Sequence, residues 1–587
     1  MSKYFILLFF LVAVSSQTVN YRRELRNVLA NHAKSGFKSA EFSPFLKQYD
    51  LNHAFRQLPY EKADQELCDT CVEVVDVAIS ELNNGANPED IVQMIIQLCV
   101  MMNIESEPVC EGAIRLNAEP VMYIAKNKPE LNGNQVCGIV LGCPGADFEE
   151  WDIKIPGGNP EEIEKGQQSD ATPIKVLQVT DTHYDPRYTP GSLGNCDEPL
   201  CCQRGSSADS VGDEAGYWGD YRDCDTPRHV ILNAYEHVNK EHNIDYIYFT
   251  GDIIRHLVWA TSIANNTDDM VTIFEDFEAY FPNTPLYPSM GNHEGQPVNQ
   301  FAPPSVTDES VSSQWLYDKC AELWAKWLPE DAKTTIKEGG YYSALVKPGF
   351  RVVSFNSNIY QTLNWWLLYD NEMQIKQLQW LVDTLYQAEQ NGEFVHILSH
   401  MPSAYGYLTF SRLWRRILER FSNTITAEFN GDSHNDGYVI FHHANEPKKP
   451  IAIAWNGGSL TTYSDHNYNY KVYTVDGENF EVLDAESWTF NLTEANLTPT
   501  QQPNWFKLYS FKDVFEMNDL SPKSMRELLI RMTTNHHLLQ LDYNHRYRQA
   551  DSRGSCNESC MKGNLCGMVR TEDGDNTVCD ELMSMWS

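Results

Sequence analysis

Carboxylate, imidazole and amide side chains follow five apolar runs of the sequence, each at the point where the run ends. The runs are IKVLQVT, DYIYFT, PLYPSM, FVHILS and ITAEFN. The polar residues at or just after their ends are Asp181, His183, Asp252, Asn292, His293, His400, Asp432 and His434. A single D-x-H or GD pair is weak evidence, but five polar run ends in succession indicate one shared site.

These residue types suit a centre of two divalent metal ions that hydrolyses a phosphate ester. Mixed nitrogen and oxygen ligands bind such ions, and one carboxylate, for which Asp252 is the candidate, can bridge both. Two ions about 4 Å apart activate a water for in-line attack on phosphorus. His293, next to the predicted ligand Asn292, is placed to give a proton to the leaving alkoxide. Gly251 and Gly291 permit tight turns and the close approach of a phosphate.

The elements that must position this site are short strands alternating with helical stretches. The five runs, together with FRVVSF and IAIAW, are rich in β-branched and aromatic residues and predict strands. With helical stretches between them, they predict an α/β domain with a mixed β-sheet core over residues 173–500. The polar stretch PGGNPEEIEKGQQSDATP has no periodicity and predicts a linker over residues 148–172.

Six cysteines mark a separate N-terminal unit over residues 64–147. Apolar residues recur at three- and four-residue steps in VEVVDVAISEL and EDIVQMIIQLCVMM, which predicts amphipathic helices. We expect this all-α unit to hold three disulfides, although the cysteine count alone leaves their connectivity open. A second cysteine-rich region, residues 501–587, is predicted to be a C-terminal helical extension with local disulfides.

The first residues, the cysteines and the composition predict a secreted globular protein, and its negative charge is compatible with an acidic lumen. Residues 1–17 carry a lysine and then a short apolar run, which is typical of a cleaved signal peptide. Fifteen cysteines favour an oxidising compartment. Four N-glycosylation sequons point the same way, at Asn265, Asn491, Asn496 and Asn557. A formal charge of −36 argues against nucleic acid as a partner, because it would repel the phosphate backbone.

The order D-x-H, GD, GNHE, H and G-x-x-H resembles the calcineurin-like metallophosphoesterase superfamily. The six-cysteine spacing of the N-terminal unit resembles the saposin family. Nearly the whole mature chain is similar to the acid sphingomyelinase family, including the segments VTDTHYDPRY, YWGDYRDCDTP, GDIIRHLVW and TTYSDHNYNYKVY. The resemblance implies a zinc phosphodiesterase that cleaves sphingomyelin into ceramide and phosphocholine.

The resemblance also implies roles for individual residues. One zinc ion would be held by Asp181, His183, Asp252 and His434, and the other by Asp252, Asn292, His400 and Asp432. His256 and His293 would lie near the leaving group. Tyr470 and Asn292 would contact the substrate. The implied disulfides are Cys68–Cys143, Cys71–Cys137, Cys99–Cys110, Cys196–Cys201, Cys202–Cys224, Cys556–Cys560 and Cys566–Cys579. Cys320 is left over, and we expect a buried free thiol there.

Asp432 departs from the family pattern. The family loop reads G-H-x-H, whereas this chain reads GDSH, so a carboxylate replaces an imidazole of the second ion. A carboxylate can bind zinc, but it is shorter and adds negative charge, which favours harder cations and makes a bound water less acidic. We expect the second ion to bind, because the other six ligand positions are present. The alternative is a weak or empty second site.

Several alternatives remain open at the level of sequence. We expect the N-terminal unit to touch the membrane transiently through an apolar face, whereas the alternative is a stapled bundle with no lipid role. Residues 61–150 hold 17 acidic and four basic residues, so protonation near pH 5 would weaken repulsion from anionic membranes. The same charge could simply keep the protein soluble. A nucleotide phosphodiesterase and a lipid-binding protein with an impaired site are the alternative functions. We expect a monomer.

Overall fold

A computed structural model describes residues 65–101, 104–143, 150–158, 165–208, 210–463, 465–572 and 574–587. The predicted signal peptide, residues 1–17, lies outside these ranges. Among the helices that are described, none combines the length and apolar character that a membrane crossing requires. The predicted fold class is confirmed, because an α/β domain with two mixed sheets lies between N-terminal and C-terminal helical regions.

Four helices form the N-terminal unit, because each must bury its apolar stripe against a neighbour. They are α1 (Gln65–Asn83), α2 (Pro88–Met101), α3 (Glu107–Asn127) and α4 (Gly133–Leu141). Helix α1 packs against α4, and α2 packs against α3. Val75 and Val136 belong to one apolar cluster, and Ile95 and Ile114 belong to another. The helical unit therefore consists of two helix pairs with separate cores.

Three disulfides hold the helical unit together. The structure pairs Cys68–Cys143, Cys71–Cys137 and Cys99–Cys110, which is the nested order that the resemblance implied. It also has the other four implied pairs, Cys196–Cys201, Cys202–Cys224, Cys556–Cys560 and Cys566–Cys579. Cys320 is a buried free thiol, as expected.

The first sheet of the α/β domain carries the first three strands of the domain in parallel. Its strands are β1 (Ile174–Val179), β2 (Tyr246–Phe249), β3 (Leu286–Pro288), β10 (Asn469–Val475), β11 (Val482–Thr489) and β12 (Phe506–Ser510). They lie in the order β12-β11-β10-β1-β2-β3, and the pairs outside β1-β2-β3 are antiparallel.

The second sheet packs face to face against the first. Its strands are β4 (Tyr342–Lys347), β5 (Phe350–Ser354), β6 (Phe394–Leu398), β7 (Ile425–Asn430), β8 (Asp436–His443) and β9 (Glu446–Gly457). They lie in the order β4-β5-β6-β7-β9-β8, with β5, β6, β7 and β9 parallel. The Tyr248 hydroxyl of β2 lies 2.8 Å from His396 Nδ1 of β6, so a buried hydrogen bond joins the sheets. The carboxyl ends of the parallel strands meet at one edge, where ligand sites of open α/β sheets are found.

Helices cover the outer faces of the two sheets. Those of the α/β domain are α5 (Arg228–Glu241), α6 (Ile263–Tyr280), α7 (Gln314–Leu323), α8 (Ala332–Gly339), α9 (Glu372–Asn391), α10 (Leu408–Arg420) and α11 (Leu492–Leu497). Short 3-10 helices lie at Trp324–Lys326, Ser357–Tyr360, Trp365–Leu368 and Ser403–Tyr405.

The C-terminal region is part of the same core. Its helices are α12 (Phe511–Val514), α13 (Pro522–Met532), α14 (His536–Arg546), α15 (Glu558–Gly567) and α16 (Thr577–Ser584). Helices α13, α14 and α16 pack on β8 and β9. Met525, Leu528 and Leu565 are buried in the apolar cluster of the α/β domain. The C-terminal region thus covers the second sheet rather than standing apart from it.

The described part of the predicted linker is pinned to the α/β domain. The Gly166 N–H donates to Glu481 Oε2 at 2.7 Å. The Ser169 N–H donates to Asp476 Oδ2 at 2.7 Å, and the Ser169 hydroxyl donates to Asp476 Oδ1 at 2.7 Å. Hydrogen bonds to carboxylates are among the stronger ones in proteins. This segment therefore follows the surface of the domain.

The helical unit contacts the α/β domain directly. Trp365 Nε1 donates to Asn117 Oδ1 of α3 at 3.1 Å, and Trp365 and Trp366 belong to the same apolar cluster as α1 and α4. The Ser106 hydroxyl, just before α3, donates to Glu198 Oε1 at 3.1 Å. Polar and apolar contacts together fix the unit beside the domain.

Glu105 lies at this contact, facing acidic residues of the α/β domain. Burial, and the charges of Glu198 and Asp223, raise the pKa of Glu105 to about 7. The folded protein then binds this proton more readily than the unfolded chain. Stability should therefore rise as pH falls from about 7 towards the ordinary value of 4.5.

Glu105→Gln is expected to raise the melting temperature at pH 7.5, because it removes a carboxylate that is buried against like charge. At pH 5 the gain should be smaller, since Glu105 already carries a proton in the folded state. Scanning fluorimetry at the two pH values measures the difference. Glu107→Gln, which alters an exposed carboxylate two residues away, is the control and should show no gain at neutral pH. The same gain at both pH values for Glu105→Gln would contradict the expectation.

Candidate metal centre

The predicted ligands meet at one edge of the two sheets. Asp181 and His183 follow β1, Asp252 follows β2, Asn292 follows β3, His400 follows β6, and Asp432 and His434 follow β7. Six of these side chains are buried, and Asp432 keeps 14 % of its side chain exposed. The loops therefore bring together all the residues that the strand-end pattern singled out.

Asp181, His183 and His434 form the first group of donor atoms, all within 4.8 Å of one another. The Nε2 atoms of His183 and His434 lie 3.0 Å apart. His434 Nε2 is 3.6 Å from Asp181 Oδ1, and His183 Nε2 is 3.4 Å from Asp252 Oδ2. Two imidazole nitrogens and two carboxylates thus surround one small space, which suits a divalent ion.

Asp181, Asp252 and His400 form a second group within the same distance. Asp252 Oδ2 lies 3.2 Å from His400 Nε2 and 3.4 Å from His183 Nε2, so this oxygen stands between the two groups. A carboxylate that bridges two ions needs this position. Asp432 Oδ1 lies 3.7 Å from His400 Nε2, so the shorter side chain of Asp432 approaches one member of the second group without joining the set of mutually close atoms.

Asn292 adds an amide oxygen to the second group. Its Nδ2 donates to Asn299 Oδ1 at 2.8 Å, which turns Oδ1 towards the cluster. The amide atom that faces the cluster lies 3.2 Å from Asp432 Oδ1 and 3.2 Å from Asp252 Oδ2. With the amide turned the other way, Nδ2 would donate to both carboxylates, whereas a cation at this position would be bound by Oδ1 together with the two carboxylates. The donor set therefore fits a metal ion.

The imidazole tautomers fit a metal as well. His183 Nδ1 lies 2.7 Å from the Ile254 carbonyl, and His400 Nδ1 lies 2.6 Å from the Thr250 carbonyl. A carbonyl can only accept, so Nδ1 carries a proton in both rings, and a neutral ring presents its Nε2 lone pair to the cluster. Metal-binding histidines are oriented in this way. Burial also lowers the pKa of His183, which keeps the Nε2 lone pair free. Without a metal His400 is charged instead, because the neighbouring carboxylates, Asp252 above all, outweigh burial and raise the pKa of His400.

The backbone is strained at five of the seven predicted ligands. Their φ angles lie in the left-handed region, at 49° for Asp181, 37° for His183, 62° for Asp252, 65° for Asp432 and 56° for His434. Such conformations cost up to about 1–3 kcal/mol each outside glycine and persist where the surroundings fix them. Gly431 allows the crowding, because a Cβ there would come within 2.6 Å of Asp181 Oδ2.

Burial sets the protonation of the carboxylates. It raises the pKa of Asp432 to about 6, against the opposing charge of His400. It also raises the pKa of Asp181. Burial acts on Asp252 too, but the charges of His400 and His293 outweigh it and hold the pKa of Asp252 well below its usual range. Asp252 is thus the carboxylate that stays ionised, as a bridging ligand must.

His256 and Asp225 form a hydrogen-bonded pair beside the two groups. His256 Nδ1 lies 2.8 Å from Asp225 Oδ1, and the backbone N–H of His256 donates to Asp225 Oδ2 at 2.6 Å. Burial lowers the pKa of His256 to about 3 and raises the pKa of Asp225 to about 7, so the pair holds one proton below about pH 7. Tyr463 stacks on the imidazole, with ring centroids 3.8 Å apart. The His183 ring lies 4.1 Å away on centroids, which places the pair at the metal centre.

His293 joins the same corner of the site. A nitrogen of His293 lies within 4.8 Å of nitrogens of His183 and His256. The His293 N–H donates to Asp252 Oδ1 at 2.9 Å, while Nδ1 is buried without a hydrogen-bond partner among the described residues. Burial lowers the pKa of His293 to about 4. The ring of His293 is therefore neutral near neutral pH and lies against the imidazoles of His183 and His256.

Four residues that position the site were not predicted from the sequence. They are Asp225, Glu294, Asn299 and Tyr463. The Glu294 carboxylate accepts the Gly291 N–H at 2.6 Å and the Asp252 N–H at 3.2 Å, which ties the loops after β2 and β3 together. Three of the four lie in segments of family resemblance, CDTP, GNHE and TTY, and could have been found there. Asn299 lies outside any motif.

Tyr470 does not line this site, and the role that the resemblance implied for it is corrected here. Tyr470 is buried within β10, and its hydroxyl lies 2.7 Å from His237 Nδ1 and 3.1 Å from His242 Nε2 at α5. Side chains alternate across a strand, and that of Tyr470 falls on the side facing α5. Tyr463, in the loop before β10, is the tyrosine that reaches the cluster.

The four sequons differ in exposure. Asn265 and Asn557 are exposed, and Asn491 is half-buried. Asn496 is half-buried too, and its Nδ2 donates to the Gly219 carbonyl at 3.0 Å. Asn265 and Asn557 are therefore the best placed of the four to carry a glycan, since their amides are open to solvent.

The site and the fold define a class of protein, and comparisons with known proteins agree. Residues 174–436 match the family model of the calcineurin-like phosphoesterases. Residues 457–585 match the model of the acid sphingomyelin phosphodiesterase C-terminal region. The α/β domain is thus a calcineurin-like phosphoesterase, and its donor groups form a divalent metal site of that class.

The relatives narrow this class to one family. The chain is 32% identical over 539 residues to a sphingomyelin phosphodiesterase of Bos taurus, covering 89% of this chain and 86% of the relative. A sphingomyelin phosphodiesterase of Homo sapiens is 31% identical, with 88% of this chain and 83% of the relative covered. The chain belongs to the sphingomyelin phosphodiesterase family, as the resemblance predicted. A cyclic GMP-AMP phosphodiesterase, SMPDL3A of Mus musculus, is 29% identical over 68% of this chain and 90% of the relative.

Asp432→His is expected to keep or raise metal affinity and activity, because a longer and neutral imidazole replaces a carboxylate that burial already disfavours. Asp432→Ala should lose the second ion. Metal content per folded chain and Zn²⁺ titration of the metal-free protein measure both effects. Ser433→Ala changes the next side chain, outside the donor groups, and is the control. A large loss of activity in Asp432→His would contradict this assignment.

Proposed function

We propose that the protein hydrolyses the phosphodiester of sphingomyelin and releases ceramide and phosphocholine. The observation that carries this proposal is the cluster of seven donor side chains beside the Asp225–His256 pair. Such a centre suits the hydrolysis of a phosphate ester. Family membership supports sphingomyelin as the substrate, because the relatives described above carry the name of that activity.

Two zinc ions are the cofactors that the donor set favours. Imidazoles combined with carboxylates and an amide oxygen suit zinc, whereas magnesium and calcium prefer oxygen ligands alone. One ion would be held by Asp181, His183, Asp252 and His434, and the other by Asp252, Asn292, His400 and Asp432. When bound, such ions polarise a phosphoryl oxygen and lower the pKa of water.

The protein's own residues must supply the proton that the leaving group needs. Water attacks phosphorus, the P–O bond to ceramide breaks, and the departing alkoxide must take up a proton. The Asp225–His256 pair holds one proton below about pH 7. His256 Nδ1 is engaged by Asp225, so Nε2 is left to deliver that proton to the alkoxide. His293, a nitrogen of which lies within 4.8 Å of a nitrogen of His256, would assist at the same leaving group.

The helical unit is proposed to bring the catalytic centre to a lipid surface. Each of its two helix pairs has its own apolar cluster, so the pairs could separate without breaking either cluster. Val72 and Ile79 of α1 and Val100 of α2 are only half-buried. The 17 acidic residues of positions 61–150 should weaken contact with anionic membranes at neutral pH and less so near pH 5.

Two other functions are supported by fewer observations. A nucleotide phosphodiesterase is supported by the likeness to a cyclic GMP-AMP phosphodiesterase, but that match covers 68% of this chain against 89% for the bovine sphingomyelin phosphodiesterase. A lipid-binding protein with an impaired centre would need Asp432 to miss the second ion. The distance of 3.7 Å from Asp432 Oδ1 to His400 Nε2 supports retained binding instead.

The cellular setting and assembly complete the proposal. Seven disulfides favour an oxidising environment, so we place the protein outside the cell or in an acidic lumen such as the lysosome. We propose that it acts as a monomer, because each group of candidate metal ligands comes from a single chain.

Sphingomyelin liposomes are the direct test of this function. At pH 5 the protein is expected to release phosphocholine, to stop when a chelator removes the metal, and to recover when Zn²⁺ is restored. Cyclic dinucleotides assayed in parallel should turn over more slowly. His183→Ala, which removes a predicted ligand, is the negative control and should be inactive. Faster turnover of the dinucleotide would favour the nucleotide phosphodiesterase instead.

Asp225→Asn should lower kcat by about 100-fold with little change in KM, because the amide cannot share a proton with His256 near neutral pH. The pH profile of kcat should also lose its decline near pH 7. Both are measured in a steady-state assay across pH. Asp223→Asn, two residues away and exposed, is the control and should keep the wild-type profile. If Asp225→Asn changes only KM, the assignment of the pair as the proton donor is wrong.

A further inference from the structure

Arg548 lies where the C-terminal region meets the loops of the metal centre. It follows α14, and its side chain is completely buried. Arginine is rarely buried unless its donors are satisfied. Its φ angle of 52° is also left-handed, so the surroundings must hold this residue in place.

The guanidinium of Arg548 joins three backbone or side-chain oxygens from two loops. Nη1 donates to the His434 carbonyl at 2.6 Å. Nε donates to the Asn467 carbonyl at 2.8 Å, and Nη2 donates to the Ser459 hydroxyl at 3.0 Å. His434 belongs to the loop after β7, while Ser459 and Asn467 lie at the two ends of the loop between β9 and β10.

The two loops carry different halves of the site. His434 is a predicted ligand of the first metal group, and its Nδ1 lies 3.3 Å from the Tyr463 carbonyl. The ring of Tyr463 stacks on His256 of the proton-donating pair. A change in the spacing of these loops would therefore turn the His434 imidazole and move His256 at the same time.

We propose that Arg548 is a positioning residue of the metal centre, whose guanidinium fixes the spacing between the His434 loop and the Tyr463 loop. Metal affinity then depends on a residue that touches neither metal nor substrate, as it does for outer partners of ligands elsewhere. Burial lowers the pKa of Arg548 to about 10, so the guanidinium stays charged at neutral and acidic pH and keeps all its donors. The part of the inference that concerns turnover rests on the proposed function, and the part that concerns metal binding does not.

Arg548→Met and Arg548→Lys in the full chain test this role. Arg526→Met is the matched control, because Arg526 is also buried in the C-terminal region but bonds Glu581 at 2.9 Å, away from both loops. Three measurements are made on each variant. They are Zn²⁺ affinity by titration of the metal-free protein, the melting temperature, and kcat and KM on sphingomyelin in detergent micelles.

Arg548→Met should lower Zn²⁺ affinity by about 10- to 100-fold and reduce kcat more than it changes KM. Arg548→Lys should give an intermediate loss, because one ammonium cannot span all three oxygens. Arg526→Met should lower the melting temperature while Zn²⁺ affinity stays at the wild-type value.

Wild-type Zn²⁺ affinity in folded Arg548→Met would overturn the proposal, and so would an equal loss of affinity in Arg526→Met. If Arg548→Met does not fold, Arg548→Lys decides by the same comparison. A wild-type protein that binds zinc but leaves sphingomyelin intact would defeat the proposed function, and the affinity comparison would still test Arg548.

Discussion

The metal centre depends on electron-rich donor atoms that repel one another and are nevertheless held together in one buried space. One amide atom of Asn292 lies 3.2 Å from an oxygen of Asp252 and 3.2 Å from an oxygen of Asp432, and His400 Nε2 lies 2.9 Å from the same amide atom. Buried carboxylates are stabilised by hydrogen-bond donors, by protons or by cations, and a metal ion would interact with all of these oxygens at once. The strained loops, the carbonyls that fix the imidazoles and the glycine at position 431 all maintain this arrangement. Folding has thus prepared a site whose free energy falls when cations enter.

The centre lies on the seam between the two sheets. Asp181, Asp252 and Asn292 follow strands of the first sheet, whereas His400 and His434 follow strands of the second. Each donor group draws on both sheets. Small shifts of one sheet against the other would therefore change the distances between the donor atoms. The dense aromatic packing between the sheets helps to keep these distances fixed. The C-terminal region, packed on β8 and β9, supports the second half of this arrangement.

The sequence is informative where chemistry follows directly from local pattern. Buried parallel strands must be apolar, so the polar residues that end them stand out, and the seven candidate ligands could be named without coordinates. Residues whose role depends on distant loops could not be named. Asp225 acts on His256 across 31 positions, and Arg548 reaches the His434 carbonyl across 114 positions. Tyr470 shows the opposite kind of error, in which a residue was assigned to the site and lies elsewhere. Tyr470 is inside a strand, and Tyr463, seven residues earlier, is the tyrosine that stacks at the site.

The segment that leads from the helical unit into β1 is bonded to Asp476 and Glu481, and the helical unit is docked through Trp365 and Trp366. A unit held at both places cannot move far from the α/β domain to reach a lipid. If the unit binds a bilayer as proposed, its docking would set the orientation of the whole molecule and the height of the catalytic atoms above the headgroups. Lipids whose scissile bond lies at another depth would then have to move to that height, and the protein would select among lipids partly by the depth of the scissile bond.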